Sequence, residues 1–173
     1  MFPQSVFPDS AEVDSQGQLI LGGCKASDLA EEYGTPIYVL DEKTLRTRCR
    51  SFIDEFRKIY PNTNVSYACK AYINPILAKL FLEEGMGFDV VSGGELATTI
   101  SASIPMDEVY FHGNNKTPQE LKEALDSSIG WVVVDSFHEM QLLDQLAGES
   151  GKTQDILIRV CLLYTSPRPR AAT

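Results

Sequence analysis

Lys70 is the residue of this sequence best placed to act as a nucleophile. It follows the apolar, strand-like run Val65-Ser66-Tyr67-Ala68-Cys69. An amine among apolar neighbours at a strand end should lose hydration, which lowers its pKa and leaves it uncharged. The neutral amine is the form that condenses with an aldehyde, so Lys70 is a candidate for covalent chemistry with an aldehyde cofactor. The alternative is a lysine whose ammonium simply reaches solvent.

Further polar side chains lie where other apolar runs end. In parallel α/β folds the working groups lie at the carboxyl ends of strands, and this rule selects the following residues besides Lys70: the stretch Asp89–Glu95, the loop His112–Lys116, Asp135 and Arg159. Asp89 has the alternative of a turn carboxylate, and a lone histidine such as His112 is often structural. Because an unpaired charge in an apolar run is costly, Arg159 is expected to face a carboxylate or another anion.

Two other patterns give weaker indications. Ser92-Gly93-Gly94-Glu95 opens a helix, so its amides are a candidate anion site, although a tight turn with a helix cap explains the run equally well. Its spacing fits neither the dinucleotide fingerprint nor the P-loop. The four cysteines form no C-x-x-C pair, and neither histidine falls at zinc-finger spacing from them. We therefore predict no metal site.

The elements that must position these residues follow a regular alternation. Apolar, β-branched runs predict strands at Thr35–Leu40, Asn64–Lys70, Gly87–Val91, Glu108–His112, Trp131–Val134 and Asp155–Val160. The last five begin 21 to 24 residues apart, which leaves room for one helix between neighbours. Strands joined in this way run parallel. The fold class is therefore α/β, either an open doubly wound sheet of the flavodoxin type or part of a (β/α)₈ barrel.

Capping motifs in the sequence also predict where helices begin and end. Asn74-Pro75 predicts an N-cap followed by proline at the first helical position. Thr117-Pro118-Gln119-Glu120 predicts a capping box, and Ser136-Phe137-His138-Glu139 repeats the pattern. Gly85 and Gly148 are predicted to end helices in the left-handed conformation.

Composition excludes several classes of partner. The chain has 173 residues and a net charge of −9, so it offers no basic surplus for nucleic acid or an anionic membrane. No window approaches 18 consecutive apolar residues, and the first residues lack the basic and apolar regions of a secretory signal. We expect a cytoplasmic protein with no membrane or nucleic-acid partner.

The motifs together resemble the diaminopimelate decarboxylases, a family within the alanine-racemase-like pyridoxal-phosphate proteins. The resemblance covers residues 18 to 160. It is carried, in order, by Tyr67-Ala68-Cys69-Lys70-Ala71, Gly87-Phe88-Asp89-Val90-Val91-Ser92-Gly93-Gly94-Glu95-Leu96, Val109-Tyr110-Phe111-His112-Gly113-Asn114-Asn115-Lys116 and Val133-Val134-Asp135-Ser136. One departure is Tyr72, where many members have asparagine.

The resemblance implies a pyridoxal 5'-phosphate enzyme that decarboxylates meso-diaminopimelate to L-lysine and works as a homodimer. Lys70 would bind the cofactor covalently, with Asp89, His112 and Arg159 near it. The family's later barrel strands and its β-rich second domain are missing. We therefore expect a truncated partial (β/α)₈ TIM barrel of about five βα units that is inactive alone, with an N-terminal segment at 1–34, the barrel at 35–160 and a foreign or disordered tail at 161–173.

Two alternatives to this function stay open at this point. One is a related decarboxylase that acts on ornithine, arginine or carboxynorspermidine. The other is a flavodoxin-like binding domain without covalent chemistry.

Overall fold

The computed structural model describes residues 6–160, so the predicted tail at 161–173 lies outside the described residues. The chain divides into two compact units, the first ending at Val65 and the second beginning at Ser66. The first unit holds a three-stranded antiparallel sheet and two helices. These are β1 (Glu12–Val13), β2 (Leu19–Leu21), β3 (Cys24–Lys25), α1 (Ala26–Tyr33) and α2 (Glu42–Ile59). The predicted domain bounds of 35 and 160 stay a prediction.

Residues 35–40 form no strand, so that part of the prediction was wrong. A strand exists only within a hydrogen-bonded ladder, and none of the described strands pairs with this segment. Tyr38 is fully exposed. The β-branched composition that suggested a strand measures propensity alone, and here no neighbouring strand completes the ladder.

The second unit is built on five parallel strands connected by helices. The strands are β4 (Ser66–Ala68), β5 (Gly87–Val90), β6 (Val109–Phe111), β7 (Trp131–Val134) and β8 (Ile156–Ile158), and the helices are α3 (Pro75–Glu83), α4 (Gly93–Ser101), α5 (Pro118–Asp126) and α6 (Phe137–Glu149). Their order in the sheet is the order in the chain. The predicted α/β class is confirmed. A doubly wound sheet reverses its order at a switch point, so the sequential order favours the partial barrel over the flavodoxin-like alternative.

Side chains on the two faces of this sheet meet different surroundings. Phe88, Val109 and Phe111 are completely buried on one face. On the other face Asp89, Tyr110 and Trp131 stand side by side in register and are only partly buried. The rings of Tyr110 and Trp131 stack there with their centroids 6.4 Å apart. Since alternate residues of a strand point to opposite faces, the polar residues of the sheet project from its less covered face.

The predicted N-caps at Asn74 and Thr117 are confirmed. The Asn74 side chain accepts the amides of Ile76 and Leu77 at 3.0 and 2.9 Å. Thr117 forms the complete capping box with Glu120. Ser136 caps α6, but Glu139 reaches past it to the amide of Asp135 at 3.1 Å. In this way the third helical residue of α6 fixes the residue that follows β7.

Each helix of the second unit ends in one left-handed residue followed by a return to the sheet. These residues are Gly85, Ser103, Ser128 and Gly151, with φ between 58° and 79°. The amide of the residue directly after each left-handed residue donates to the carbonyl five positions earlier, as Met86 does to Phe81 at 3.1 Å. The prediction for Gly85 is confirmed. The prediction for Gly148 was wrong, because α6 continues through it to Glu149 and Gly151 makes the turn.

Within residues 6–160, no helix combines the length and the apolar character that crossing a membrane requires. The cysteines of this part of the chain are free thiols. The same part holds no group of three or more His, Cys, Asp or Glu side chains arranged for a metal ion.

Candidate active site

The carboxyl ends of β4 to β8 bring the four predicted site residues to one edge of the sheet. Asp89 lies beside Ala68 in the register of β5 against β4, and Lys70 follows two residues beyond Ala68. His112 directly follows β6, and Arg159 directly follows β8. This is the edge at which parallel α/β enzymes place their working groups.

Lys70 lies in a short 3₁₀ turn, Cys69–Ala71, that begins where β4 ends. The Tyr67 hydroxyl donates to the carbonyl of Tyr72 at 2.7 Å and so closes the turn. The Lys70 side chain is exposed. The apolar surroundings expected around its amine are thus not found in this chain. What the turn provides is an amine that a ligand at this edge of the sheet can reach.

Cys69, the neighbour of Lys70, is a buried thiol and a poor nucleophile. Burial raises the pKa of the Cys69 thiol to about 12, with further contributions from the negative charges of Glu95 and Asp89. The thiolate is the reactive form of cysteine, and at neutral pH this thiol stays protonated. Lys70 is therefore the accessible nucleophile of the turn.

Asp89 and His112 form one polar pair at this edge. His112 Nδ1 lies 3.4 Å from Asp89 Oδ2, and both side chains are partly buried. The His112 amide donates to the carbonyl of Val90 at 2.8 Å, which fixes the start of the loop. Asp89 Oδ1 is buried and accepts no hydrogen bond from the residues that the structure describes. A buried acceptor of this kind is costly unless a ligand brings a donor to it.

Asp135 and Arg159 form the second polar pair. Arg159 Nη1 donates to Asp135 Oδ1 at 3.0 Å, so the expectation that Arg159 faces a carboxylate is confirmed. The Arg159 amide donates to the carbonyl of Val134 at 2.9 Å, which continues the ladder past the end of β8. The Arg159 side chain is 44% exposed. Its remaining N–H groups are free to turn toward an anionic ligand.

Lys116 was predicted from the sequence only as a member of a polar loop, with no role of its own. Its side chain is 1% exposed, and its ammonium lies 2.7 Å from Glu139 Oε1. It also donates to the carbonyls of Gly113 and Val133 at 2.6 and 2.9 Å. Lysine is almost never fully buried unless it is paired. The pairing involves α6, 23 residues away, so no local pattern predicts it.

The glycine run at the start of α4 is already occupied by side chains of the protein itself. The Gly93 amide donates to Glu120 Oε1 at 2.8 Å, and the Glu95 amide donates to Ser92 Oγ at 3.3 Å. The Thr117 amide holds the pKa of Glu120 below its ordinary value, and the Gly93 amide adds to the effect. Of the two interpretations of this run, a tight turn with a helix cap agrees with the structure.

These residues fit a cofactor that carries an aldehyde and a hydrogen-bond donor. Lys70 supplies a reachable amine, and Asp89 supplies an acceptor without a partner among the described residues. Arg159 adds a partly exposed positive charge on the same edge.

Comparison with known proteins agrees with this chemistry. The model of the pyridoxal-binding domain of pyridoxal-dependent decarboxylases matches residues 43–166. The chain is 42% identical to a diaminopimelate decarboxylase of Bacillus methanolicus over 89% of the chain and 36% of that protein. It is 44% identical to the enzyme of the same name from Bacillus subtilis over 85% of the chain and 34% of that protein.

A solved structure shows the same similarity. The crystal structure of diaminopimelate decarboxylase from M. jannaschii in complex with L-lysine matches with a TM-score of 0.78 and 31% identity. The match covers 87% of this chain and 36% of that one. The chain thus spans about a third of the length of the relatives it matches.

Proposed function

We infer the function from one starting point: the chain belongs to the pyridoxal-dependent decarboxylases, whose pyridoxal-binding domain makes up most of it. We propose that the complete protein removes carbon dioxide from meso-diaminopimelate and releases L-lysine, with pyridoxal 5'-phosphate as its cofactor. The described residues are then the part of the barrel that carries the cofactor lysine. Since the chain spans about a third of the length of the relatives it matches, we expect it to show no decarboxylase activity alone.

The observation that carries this proposal is the position of Lys70. Its amine is exposed at the carboxyl edge of a parallel sheet, one strand away from Asp89 Oδ1, which is buried and has no hydrogen-bond partner among the described residues. The similarity to diaminopimelate decarboxylases at more than 40% identity supports the choice of substrate. Both Bacillus relatives described above are named diaminopimelate decarboxylase.

Each site residue has a role that its geometry supports. Pyridoxal phosphate, when bound, takes up the electron pair that remains as carbon dioxide leaves the substrate. Lys70 attaches the aldehyde covalently. Asp89 accepts a hydrogen bond from a donor on the ligand and orients His112, whose ring lies against it. Arg159, which Asp135 holds through one nitrogen, binds an anionic group with its remaining donors.

Borohydride trapping tests the assignment of Lys70 directly. The complete protein is incubated with pyridoxal 5'-phosphate, reduced with borohydride, digested and mapped by mass spectrometry. We expect the label on the peptide that contains Lys70, and no label there in Lys70→Ala. Lys79→Ala removes another exposed lysine nearby and serves as the control. Full labelling and full turnover in Lys70→Ala would reject the proposal.

The choice of substrate is tested by offering meso-diaminopimelate, ornithine, arginine and carboxynorspermidine separately to the complete protein. We expect carbon dioxide release and L-lysine formation with the first, at a kcat/KM well above the others. A preference for ornithine or arginine would move the protein to the related decarboxylases.

The proposal also includes a homodimer in the cytoplasm. Free thiols at Cys24, Cys49 and Cys69 suit a reducing compartment. Sedimentation of the complete protein at several concentrations measures its oligomeric state, and a monomer at all of them contradicts the dimer.

A further inference from the structure

We propose that Lys116 is a positioning residue, whose buried ammonium joins the His112 loop to the helix that supports Asp135. The two polar pairs of the candidate site, Asp89–His112 and Asp135–Arg159, are then held in one fixed arrangement by a single side chain that is only 1% exposed. The inference deepens the proposed function and rests on it for its measurements of cofactor affinity.

The ammonium of Lys116 makes two hydrogen bonds and one ion pair. An ammonium has three N–H donors. Lys116 donates to the Gly113 carbonyl at 2.6 Å and to the Val133 carbonyl at 2.9 Å, and its ammonium forms an ion pair with Glu139 Oε1 at 2.7 Å. The three oxygens belong to the loop after β6, to β7 and to α6. One nearly inaccessible nitrogen therefore connects three elements.

One branch of these contacts leads to Asp89. Gly113 follows His112, and its φ of +114° is a backbone conformation that favours glycine. A Cβ at this position would lie 3.3 Å from the carbonyl oxygen of Val91, so the loop passes close to the end of β5. By holding the Gly113 carbonyl, Lys116 fixes this bend. The bend in turn directs the His112 ring to Asp89.

The other branch leads to Arg159. Glu139 uses Oε1 for Lys116 and Oε2 for the amide of Asp135, at 3.1 Å. The carboxylate of Asp135 accepts from Arg159 at 3.0 Å. Lys116 therefore fixes the orientation of Glu139, and Glu139 fixes the backbone from which Asp135 holds the guanidinium.

Stability alone does not require such a pair. Replacing both members of a buried ion pair by neutral residues of similar size often leaves stability unchanged, whereas removing one member leaves an uncompensated charge. A neutral pair keeps the volume filled but does not hold two carbonyls and a carboxylate around one charge. Replacing Lys116 alone therefore tests its support of the fold, whereas replacing Lys116 and Glu139 together tests the positioning of the site.

The test compares wild-type complete protein with Lys116→Met/Glu139→Gln, in which both charges are removed. We expect an unfolding temperature close to that of the wild type. We also expect the dissociation constant of pyridoxal 5'-phosphate for the apoprotein to rise by about tenfold or more, the effect usual for residues that orient a ligand-binding group. Lys122→Met, an exposed lysine on α5, is the matched control and should change neither quantity. Wild-type affinity in the paired variant overturns the proposal.

A double-mutant cycle with His112→Asn shows whether Lys116 acts through the histidine. If it does, His112→Asn weakens cofactor binding less in the Lys116→Met/Glu139→Gln background than in the wild type. Independent, additive losses contradict positioning through His112. Should the paired variant not fold, Glu139→Gln alone is measured in the same way, and unchanged cofactor affinity there also overturns the proposal.

The two proposals fail in different ways. Absence of borohydride label on Lys70 in the wild type rejects the proposed function. A labelled Lys70 with unchanged affinity in the paired variant rejects only the role of Lys116.

Discussion

The loops after β4 and β6 each carry one lysine, and the two lysines are treated in opposite ways. Lys70 is exposed in a short turn that a tyrosine hydroxyl closes, so its amine is not needed to hold the turn together. Lys116 is buried, and the protein holds its ammonium through two hydrogen bonds and one ion pair. A lysine for covalent chemistry must be reachable, whereas a lysine that supports a site must be inaccessible. Lys70 and Lys116 are the same residue type at the same edge of the sheet. Their different exposure and hydrogen bonding distinguish the two roles.

Replacing Lys70 gives the largest functional effect with the smallest structural one. In Lys70→Met we expect complete loss of covalent cofactor attachment, and a free energy of unfolding within about 0.5 kcal/mol of wild type, because the side chain is exposed. Urea unfolding of the complete protein and mass spectrometry after borohydride reduction measure the two quantities. A loss of several kcal/mol would show that Lys70 also supports the fold.

Replacing Lys116 alone gives the largest loss of stability. Lys116→Ala leaves Glu139 buried without its counter-charge, and we expect a loss of about 3–5 kcal/mol. Urea unfolding gives the number, and the exposed Lys122→Ala provides the baseline. If the two variants lose the same amount, the contrast between the two loops does not hold.

The first loop depends on a helix cap where the second depends on an ion pair. Asn74→Ala removes the acceptor for the amides of Ile76 and Leu77, and we expect a loss of about 1 kcal/mol. Asn115→Ala, an exposed asparagine of the second loop, should change the unfolding free energy by less than about 0.5 kcal/mol. Equal effects at the two positions would mean that the cap is not what secures α3.

Glu120 gives the smallest effect and one that depends on pH. Its pKa is lower in the folded chain than in the unfolded chain, so its contribution is fully present above the unfolded value. That contribution is lost as the pH falls through the lowered, folded-state pKa. The free energy of unfolding of the wild type should therefore exceed that of Glu120→Gln by less than about 1 kcal/mol at pH 7, since the carboxylate is partly exposed. This difference should vanish in acid. Urea unfolding across pH 2.5 to 7 measures it, and a difference that grows in acid contradicts the sign.

Much of the fold follows from short-range patterns in the sequence. The caps at Asn74 and Thr117 need only the next three residues, and the regular spacing of apolar runs gives the parallel strands of the second unit. The strand predicted at 35–40 fails for the opposite reason, because a ladder depends on a neighbour that composition does not reveal. Gly148 fails because the sequence offers a second glycine three residues later, and helix length decides between them.

The candidate site divides along the same line. The rule that strand ends carry function selects Lys70, Asp89, His112 and Arg159 from the sequence, and the structure places all four on one edge. No local pattern predicts which side chains pair with each other. The carboxylates that pair with Lys116 and Arg159 come from other βα units, and the exposure of Lys70 depends on how the turn after β4 is built.

Glu120 and Glu139 lie in the first turns of α5 and α6, and each connects its helix to the preceding βα repeat. Glu120 binds the first residue of α4, where any side chain in place of Gly93 would press within 3.1 Å of Glu120 Cγ. Glu139 binds Lys116, just ahead of α5. Anyone recombining this barrel with a relative should therefore transfer residues 93–139 as one indivisible cassette. With a crossover point inside this segment, Glu120 and Gly93, or Glu139 and Lys116, would come from different parents.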